Sequence, residues 1–306
     1  MKELVIISGK GGTGKTSLTA AFCHLAKQAV FADCDVDAAD LHLILNPDIR
    51  RSETFVSGHE ARIRPQDCTG CGTCRELCAF EAVAPATAPE GREIFHIDPF
   101  ACEGCKVCVQ FCPQQAIDFS PAECGQWYRS ETRFGSMVHA RLHIGAENSG
   151  KLVSLVREQA RLVAQEQAAN WLLVDGPPGI GCPVIASITG ATAVLIVTEP
   201  TLSGQHDFER VAQLCRHFGI PAFLCVNKWD INPEQSETLS RCATENDVTV
   251  LGRIPYDPVF TTAQLQVQAV TEYAANETAK AIRQLWRQLQ QQLASQPDQG
   301  KRPKGD

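Results

Sequence analysis

Apolar runs of strand length alternate with segments of helical periodicity along much of this chain. The first run covers residues 2–8. It is followed by a glycine-rich loop at 9–14, a helical pattern at 15–27 and a second short run at 29–33. This order is typical of the opening of a βαβ unit. Similar runs lie at 171–174, 193–198, 222–226 and, more weakly, 248–251. Helical patterns separate them, so the sequence predicts an α/β fold with a mostly parallel sheet and helices on both faces.

The regular alternation stops in the middle of the chain. Between residues 60 and 120 cysteines crowd together, proline and glycine are frequent and no periodicity is visible, whereas a helical pattern resumes at 151–167. This middle segment is therefore predicted to be a small α+β domain inserted into the larger α/β domain. The predicted organisation is a first part of the α/β domain at 1–58, the inserted domain at 59–121, the second part at 122–295 and a polar, disordered tail at 296–306.

The helical pattern at 275–294 carries one apolar stripe. Its members recur at the spacing of one helix face: Ile282, Leu285, Trp286, Leu289 and Leu293. Such a stripe faces a protein core more often than a membrane surface. We therefore expect core packing for this helix and no membrane association.

Composition narrows the class of protein. The 306 residues are 44% hydrophobic, which is enough for a sizeable core, and carry a net charge of −7, which argues against a general nucleic-acid binder. The chain shows no signal-peptide region and no apolar run of membrane-spanning length, so a cytoplasmic location is expected. In such a location, fifteen cysteines indicate metal binding or redox chemistry rather than disulfides.

The glycine-rich segment between the first strand and the first helix predicts a phosphate-binding loop. Glycines let backbone N–H groups wrap phosphates, and the N-terminus of the helix adds partial positive charge. Lys15 would reach the β- and γ-phosphates, and the Thr16 hydroxyl would bind Mg²⁺. The residues predicted to surround the phosphates are Gly11, Gly12, Thr13, Gly14, Lys15 and Thr16.

Eight of the cysteines form two runs of identical spacing. The runs are Cys68-x-x-Cys71-x-x-Cys74-x-x-x-Cys78 and Cys102-x-x-Cys105-x-x-Cys108-x-x-x-Cys112. Each cysteine of the first run recurs 34 positions later (68 to 102, 78 to 112), which indicates an internal duplication. The spacing is that of bacterial ferredoxins with two [4Fe–4S] clusters, in which the fourth cysteine of a run binds the other cluster. Structural zinc is the alternative, although zinc sites typically use separated pairs of ligands.

The resemblance to two-cluster ferredoxins implies two ligand sets. One cluster would be held by Cys68, Cys71, Cys74 and Cys112, and the other by Cys78, Cys102, Cys105 and Cys108. The sequence departs from the ferredoxin pattern at Ala79, where a proline usually follows the fourth cysteine, whereas Pro113 keeps it. We expect this departure to alter a turn and not a ligand.

The phosphate-binding loop carries an additional lysine, Lys10. Lys10-Gly11-Gly12-Thr13-Gly14-Lys15-Thr16 resembles the deviant Walker A motif of the MinD, ParA, Mrp and nitrogenase-iron-protein class of ATPases. The resemblance implies that Lys10 reaches across a dimer to the partner's nucleotide, much as an arginine finger does in other NTPases. A homodimer formed on ATP binding, or a heterodimer with a related ATPase, is therefore expected.

Two further segments match the same class. By this resemblance, Asp33 is an outer carboxylate of the Mg²⁺ site, Asp35 orients the attacking water and Asp175 is the Walker B carboxylate. Gly179, in Asp175-Gly176-Pro177-Pro178-Gly179, is similar to a glycine whose N–H senses the γ-phosphate. The predicted catalytic residues are thus Lys10, Lys15 and Asp35, and the predicted magnesium residues are Thr16, Asp33 and Asp175.

The nucleotide base is less clearly specified. Asn227-Lys228-Trp229-Asp230 follows an apolar strand and resembles the guanine-binding N-K-x-D motif of GTPases. In the MinD class, the asparagine at this strand end contacts adenine instead. ATP with Mg²⁺ is favoured because Lys10 belongs to that class, and GTP stays open as the alternative.

Most of the chain resembles MinD-superfamily ATPases with an inserted ferredoxin domain. This resemblance also covers segments to which no chemical role is assigned: Trp127-Tyr128, Ser130–Thr132, His139–Leu142, Glu147–Leu152 and Thr198–Thr201 with Ser203-Gly204. In the nitrogenase iron protein, a ligand of the dimer-bridging cluster follows the Walker B aspartate at a spacing similar to that between Asp175 and Cys182. That protein uses two cysteines per subunit, and no second candidate is evident here.

Three functions follow from the resemblance. The favoured one is an ATPase, slow without a partner, that couples nucleotide-driven dimerisation to electron transfer through two [4Fe–4S] clusters and an unidentified redox partner. The second is an iron–sulfur or metallocofactor assembly ATPase, although such carriers typically hold a labile cluster at a dimer interface. The third is a MinD-like positioning ATPase with a redox-sensing ferredoxin domain. That function would need a membrane-targeting helix, for which 282–293 is a weak candidate.

Overall fold

The computed structural model describes residues 1–143 and 149–295, so the predicted tail at 296–306 lies outside the described residues. The strands are β1 Lys2–Ser8, β2 Ala29–Asp33, β3 Asp48–Ile63, β4 Val83–Thr87, β5 Glu93–Ile97, β6 Ile117–Thr132, β7 Gly135–Leu142, β8 Trp171–Pro178, β9 Ala193–Thr198, β10 Ala222–Asn227 and β11 Thr249–Ile254. The helices are α1 Lys15–Leu25, α2 Leu41–Leu45, α3 Thr73–Glu76, α4 Val107–Phe111, α5 Ser149–Glu166, α6 Cys182–Ile188, α7 Leu202–His217, α8 Pro233–Glu245, α9 Val259–Leu265, α10 Val270–Tyr273 and α11 Glu277–Ser295.

One large sheet organises the fold. In the described part of the chain, its nine strands have the order β11-β10-β9-β1-β8-β2-β7-β6-β3. The strands from β11 to β7 pair in parallel. In the central strand β1, Leu4 and Ile6 on one face and Val5 and Ile7 on the other are all fully buried. Strands covered on both faces read as continuous apolar runs, as residues 4–7 do. The predicted α/β fold with a mostly parallel sheet is confirmed.

Parallel pairing brings the carboxyl ends of several strands to one edge of the sheet. β9, β1, β8 and β2 are successive neighbours, and β10 lies beyond β9. In open α/β sheets, ligands bind at this edge. These strands end at Ser8, Asp33, Thr198 and Asn227, and Asp175 lies in the last half of β8.

The apolar stripe of α11 is buried. All five of its members are at most 4% exposed and belong to the core that also contains Phe22 and Trp171. The ring of Trp286 lies 5.0 Å, centroid to centroid, from the rings of both Phe22 and Trp171. This confirms the core-facing prediction for the last helix. No helix of the described chain is long and apolar enough to span a membrane.

Five strands, β3 to β7, were not predicted from the sequence. β4 and β5 lie in the cysteine-rich segment, where no periodicity is visible. β3 is a sixteen-residue strand whose burial pattern shows mostly exposed positions, with charges such as Arg50, Arg51 and Glu53. It lies at the edge of the sheet, where charged side chains prevent pairing with another chain. Such an edge strand lacks the apolar run that marks a buried strand. β6 and β7, joined through Arg133 and Phe134, were missed for a similar reason, because most of β6 is polar.

The chain divides into two compact units. The first comprises Met1–Glu53, Trp127–Arg141 and the chain from Ser149 onward, and the second comprises Thr54–Gln126 with a short piece that begins at Leu142. The predicted insertion at 59–121 lies within the second unit. That unit contains the antiparallel pair β4–β5, with Val83 opposite Ile97, and the short helices α3 and α4. Its apolar cores are small and include several cysteines.

Candidate functional site

The phosphate-binding loop of the first unit joins the end of β1 to the start of α1. Gly12 and Gly14 have φ angles of 80° and 87°, in the left-handed region that favours glycine. A Cβ atom at Gly14 would also lie 2.4 Å from Nδ2 of Asn227. The backbone conformation and the neighbouring side chain therefore both require glycine at this position.

Lys15 lies at the centre of the acidic groups that the sequence predicted. Its Nζ is 3.1 Å from Oδ1 of Asp175 and 3.3 Å from Oδ2 of Asp35. Thr16 donates a 2.8 Å hydrogen bond from its hydroxyl to Oδ2 of Asp175, and Thr19 donates one of equal length to Oδ1. Asp33 accepts the backbone N–H groups of Asp35 and Leu41 at 3.2 Å. The structure thus brings together Lys15, Thr16, Asp33, Asp35 and Asp175.

The group around Lys15 carries more negative than positive charge. Burial alone would lower the pKa of Lys15, but the nearby charges of Asp175 and Asp35 outweigh burial and raise it. Burial raises the pKa of Asp35, and burial together with the charge of Asp175 raises that of Asp33 well above its usual value. One lysine thus faces three carboxylates, so the base of the phosphate-binding loop carries an excess of negative charge that a bound cation would offset.

A large cavity opens beside these residues. It encloses about 1,230 Å³ of empty space, part of it open to solvent. Its walls include the predicted phosphate-binding residues from Gly11 to Thr16, together with Asp35 and Asn227. A further part of the wall comes from Pro255, Tyr256, Asp257, Pro258, Phe260, Thr261 and Gln264. The sequence did not identify this wall. The weakly predicted strand at 248–251 could have indicated this wall, because the carboxyl end of the strand reaches the same edge of the sheet.

The contacts of the Asn227–Asp230 segment differ from those expected of a guanine-binding motif. Asn227 donates from Nδ2 to the backbone oxygen of Thr13 at 2.8 Å. Its Oδ1 is buried and has no hydrogen-bond partner among the described residues. Asp230 accepts the backbone N–H of Tyr256 at 2.6 Å through Oδ1, and Lys228 forms an ion pair with Glu199. All three polar side chains of the N-K-x-D motif thus contact other parts of the chain, and Oδ1 of Asn227 is left as a free acceptor in the described structure.

Gly179 and Lys10 both lie close to the phosphate-binding loop. Gly179 has a φ of 92° and donates its N–H to the backbone oxygen of Ser8 at 2.9 Å. The Nζ of Lys10 is 3.7 Å from Oε2 of Glu199 and 3.4 Å from the hydroxyl of Ser203. Lys10 is therefore in contact with its own chain, and its side chain is 35% exposed.

The eight cysteines of the second unit line two separate cavities. One cavity, of about 340 Å³, is lined by Cys68, Cys71, Cys74 and Cys112 together with apolar side chains such as Ile63 and Phe95. The other, of about 380 Å³, is lined by Cys78, Cys102, Cys105 and Cys108. Each cavity thus collects three cysteines from one run and the fourth from the other run. This is the grouping that the resemblance to ferredoxins implied.

The internal duplication is visible in the backbone of the second unit. Positive φ angles recur at the 34-residue offset, in the pairs Gly70 and Gly104, Gly72 and Lys106, and Glu81 and Gln115. Hydrogen bonding repeats with the halves exchanged: the N–H of Arg64 donates to the oxygen of Ala116, and the N–H of Asp98 donates to that of Ala82, both at 2.8 Å. Each half therefore completes the other, and this exchange places the fourth cysteine of each run in the opposite cavity.

The chemistry of these cysteines fits thiolate ligands. All fifteen cysteines of the chain are free thiols. Burial raises the pKa of Cys74 to about 11, and a hydrogen bond with Thr73 lowers that of the exposed Cys71. Among the described residues, no three His, Cys, Asp or Glu side chains are grouped closely enough for a single metal ion. Sulfur-only donors around an apolar cavity are typical of iron–sulfur sites, because soft thiolates do not select hard cations.

The other cysteines show no comparable grouping in the described chain. Cys23, Cys215 and Cys225 are buried, as expected for small apolar side chains. Cys182 is exposed at the start of α6, beside Gly150. The motif Glu147–Leu152 falls partly outside the described residues.

Comparisons with known proteins bear on the first unit and on the fold. The family described as the CobQ/CobB/MinD/ParA nucleotide binding domain matches residues 4–270. The uncharacterised protein MJ0578 of Methanocaldococcus jannaschii is 30% identical over 233 residues, which cover 75% of this chain and 79% of that protein. The septum site-determining protein MinD of Pyrococcus horikoshii, solved in complex with Mg-ADP, has a TM-score of 0.57 at 18% identity, and 96% of this chain and 97% of that chain are covered.

A chain of the MinC:MinD cell division protein complex of Aquifex aeolicus has a TM-score of 0.54 at 17% identity, with 99% of both chains covered. These structural similarities show the fold. The match over residues 4–270 shows the family. The chain therefore belongs to the CobQ/CobB/MinD/ParA nucleotide-binding family, which confirms the prediction of a MinD/ParA-type P-loop ATPase at the level of the family.

Proposed function

We propose that this member of the CobQ/CobB/MinD/ParA family is a Mg²⁺-dependent ATPase that holds two [4Fe–4S] clusters and links its nucleotide cycle to electron transfer. The observation that carries the proposal is that each cavity of the second unit is lined by four cysteines, drawn three and one from the two halves of the duplication. Such a three-plus-one set is the ligand pattern of two-cluster ferredoxins.

The free acceptor of Asn227 supports adenine as the base. Because Nδ2 donates to the oxygen of Thr13, Oδ1 must be the atom that is left without a partner in the described structure. An acceptor at this place can accept a hydrogen bond from the exocyclic amine of adenine. The corresponding group of guanine is a carbonyl oxygen, which is itself an acceptor and cannot form this bond. Asp230, which would bind the guanine amine, has one carboxylate oxygen occupied by the N–H of Tyr256. ATP is therefore the proposed nucleotide.

The residues around Lys15 divide the work of hydrolysis. Lys15 binds the β- and γ-phosphates, and the Thr16 hydroxyl with the Asp175 carboxylate holds Mg²⁺. Asp33, fully buried, supports the cation site from behind. Asp35 lines the cavity and accepts a hydrogen bond from the water that attacks the γ-phosphate, which yields ADP and phosphate. Lys10 contributes its charge to the nucleotide of a second copy, so the active form is a dimer.

The cysteine sites fit iron–sulfur clusters by donor type, number and surroundings. Cys68, Cys71, Cys74 and Cys112 would hold one cluster, and Cys78, Cys102, Cys105 and Cys108 would hold the other. A bound [4Fe–4S] cluster supplies one-electron transfer at a potential that hydrogen bonds and solvent exposure set. The apolar walls around both sets restrict water near the thiolates, and the exposed Cys71 and Cys105 mark where each site approaches the surface.

A MinD-like positioning ATPase with a redox-sensing domain is the second candidate, and the comparisons favour it, because the similar solved structures are cell-division ATPases. The candidate membrane-targeting helix at 282–293 does not support it, because the apolar stripe of α11 is buried in the core. An assembly ATPase is the third candidate. Such a carrier would need accessible thiols, and among the cysteines of the described first unit Cys182 alone is exposed.

The deciding experiment measures ATP affinity for the oxidised and the dithionite-reduced protein, prepared anaerobically, with Lys10→Ala as the matched variant. If nucleotide binding and reduction are linked, the two affinities differ, and linkage requires that ATP change the ease of reduction by the same factor. Equal affinities, together with potentials that a non-hydrolysable ATP analogue does not move, would show two fused but independent modules and would leave the positioning function as the better explanation.

A further inference from the structure

One carboxylate, that of Glu199, lies between two lysines of the nucleotide site. β1, β9 and β10 are neighbours in the sheet, and β9 is the middle strand. Lys10, Glu199 and Lys228 each follow the carboxyl end of one of these strands. The topology therefore places the three side chains next to each other at the edge that carries the phosphate-binding loop.

The contacts of Glu199 join these lysines to one group. Its Oε1 pairs with Lys228, and its Oε2 lies 3.7 Å from Nζ of Lys10. Lys228 also donates to the backbone oxygen of Gly12 at 3.4 Å, so the ion pair of Glu199 with Lys228 contacts the phosphate-binding loop. The Glu199 side chain is 16% exposed, whereas that of Lys10 is 35% exposed. Lys10 thus lies on the outer side, from which it can leave without moving the carboxylate.

A tight turn holds Glu199 in place. The hydroxyl of Thr201 accepts the N–H of Gly204 at 2.9 Å, and the hydroxyl of Thr198 donates to the oxygen of Gly204 at 3.1 Å. A Cβ atom at Gly204 would lie 2.4 Å from the backbone oxygen of Glu199, so the turn requires glycine there. This gives a structural reason for the segment Thr198–Gly204, whose residues had no chemical role on sequence grounds.

We infer that Glu199 is a positioning residue for the ATPase reaction, which holds Lys228 against the phosphate-binding loop and retains Lys10 on its own protomer. The inference rests on the proposed function, because Lys10 must leave this contact to reach the nucleotide of a second copy. A partly exposed ion pair is weak, whereas a lysine bound to phosphate makes charge-assisted hydrogen bonds. Glu199 therefore weakens dimerisation in the presence of nucleotide but does not prevent it.

The test is a double-mutant cycle between Glu199→Gln and Lys10→Ala. Dimerisation is measured by analytical ultracentrifugation at saturating concentrations of a non-hydrolysable ATP analogue. We expect Glu199→Gln to lower the dimer dissociation constant about threefold in the Lys10 background, the size expected for a partly exposed pair. In the Lys10→Ala background only an effect that acts through Lys228 remains, so the difference between the shifts in the two backgrounds isolates the contact with Lys10. Glu237→Gln, which removes the ion pair with Arg253 elsewhere on the surface, is the matched control and should leave the constant unchanged.

A second measurement reports on the contact itself. In the monomer without nucleotide, Lys10 of Glu199→Gln should be acylated by acetic anhydride about threefold faster than in the wild type, as followed by peptide mass spectrometry. A wild-type chain that never dimerises with the ATP analogue would overturn the proposed function and the inference together. A wild type that dimerises, with Glu199→Gln showing the same shift in both backgrounds or none in either, would overturn the role of Glu199 alone.

Discussion

Lys15 and Asp175 form a buried ion pair, in which Nζ lies 3.1 Å from Oδ1 at the base of the nucleotide cavity. We expect Lys15→Ala to abolish ATP binding, because the lysine that meets phosphate is lost and Asp33, Asp35 and Asp175 are left without their cation. Equilibrium binding of a fluorescent ATP analogue measures the loss. Iron content should stay at the wild-type value, since the cysteines lie in the other unit. Loss of iron together with nucleotide binding would show that the two units do not fold independently.

Asn227 should make the protein prefer ATP to GTP. Its unpartnered Oδ1 matches the amine of adenine, and a mismatched hydrogen bond in a buried site corresponds to about tenfold or more in affinity. Competition of ATP and GTP for a fluorescent analogue measures the preference. Asn227→Ala should weaken ATP binding more than GTP binding. Tighter binding of GTP to the wild type would contradict this interpretation of Asn227.

Each cysteine cavity should hold one cluster. Anaerobically prepared protein should contain about eight iron atoms and about eight acid-labile sulfides per chain, from two sites with four thiolates each. Cys78→Ser and Cys112→Ser should each reduce the iron content to about four, because each removes a ligand from one cavity. Cys124→Ser is the control, since this buried thiol donates to the oxygen of Ser57 and lines neither cavity in the described chain. Zinc without sulfide in a fully reconstituted preparation would defeat the prediction.

His139 should make stability depend on pH. Burial, followed by the charge of His42, lowers the pKa of His139 to about 4, and its Nε2 lies 2.9 Å from the hydroxyl of Ser130. Between the unfolded pKa of about 6.5 and the folded one of about 4, the unfolded chain binds more protons. The contribution is therefore present above pH 6.5 and is lost progressively as the pH falls. His139 should cost about 2 kcal/mol of the free energy of unfolding from pH 7 to 5.

The measurement for this prediction is urea unfolding of the wild type and of His139→Gln at pH 7 and pH 5, followed by circular dichroism. The variant has no imidazole to protonate, so its stability should fall by less over the same interval. Parallel losses in the two proteins would show that His139 is protonated as readily in the folded state as in the unfolded one.

The sequence allowed much of the nucleotide-binding unit to be predicted, for reasons visible in particular strands. β1 is buried on both faces and therefore shows a continuous apolar run, and the phosphate-binding loop follows it directly. β3 could not be found in this way. It is an exposed edge strand defined by its pairing with a neighbouring strand, and its sequence has no regular apolar spacing. The ends of β1 and β9 were found, but their adjacency, and thus the contact of Lys10 with Glu199, follows from sheet order alone.

The candidate sites show the same division between local and distant information. The cysteine spacing, through its resemblance to ferredoxins, predicted which cysteines line each cavity, since the signal is contained in one short repeated segment. That these cysteines bind clusters remains a prediction. The wall from Pro255 to Gln264 was missed, because it lies more than 200 positions from Lys15 and has no motif of its own. The Asn227 side chain was assigned by resemblance to two families, and only its bond to Thr13 distinguishes a free acceptor from a free donor.

The exchanged hydrogen bonds of Arg64 with Ala116 and of Asp98 with Ala82 have an evolutionary consequence. A single copy of the repeat possesses three cysteines of one site and a fourth that belongs to another, so it cannot complete a site by itself. A chain with one copy would therefore have to pair with a second molecule and exchange the fourth cysteine with it. Here both copies lie in one polypeptide, so the two halves can differ, as the glycine at position 72 and the lysine at position 106 do.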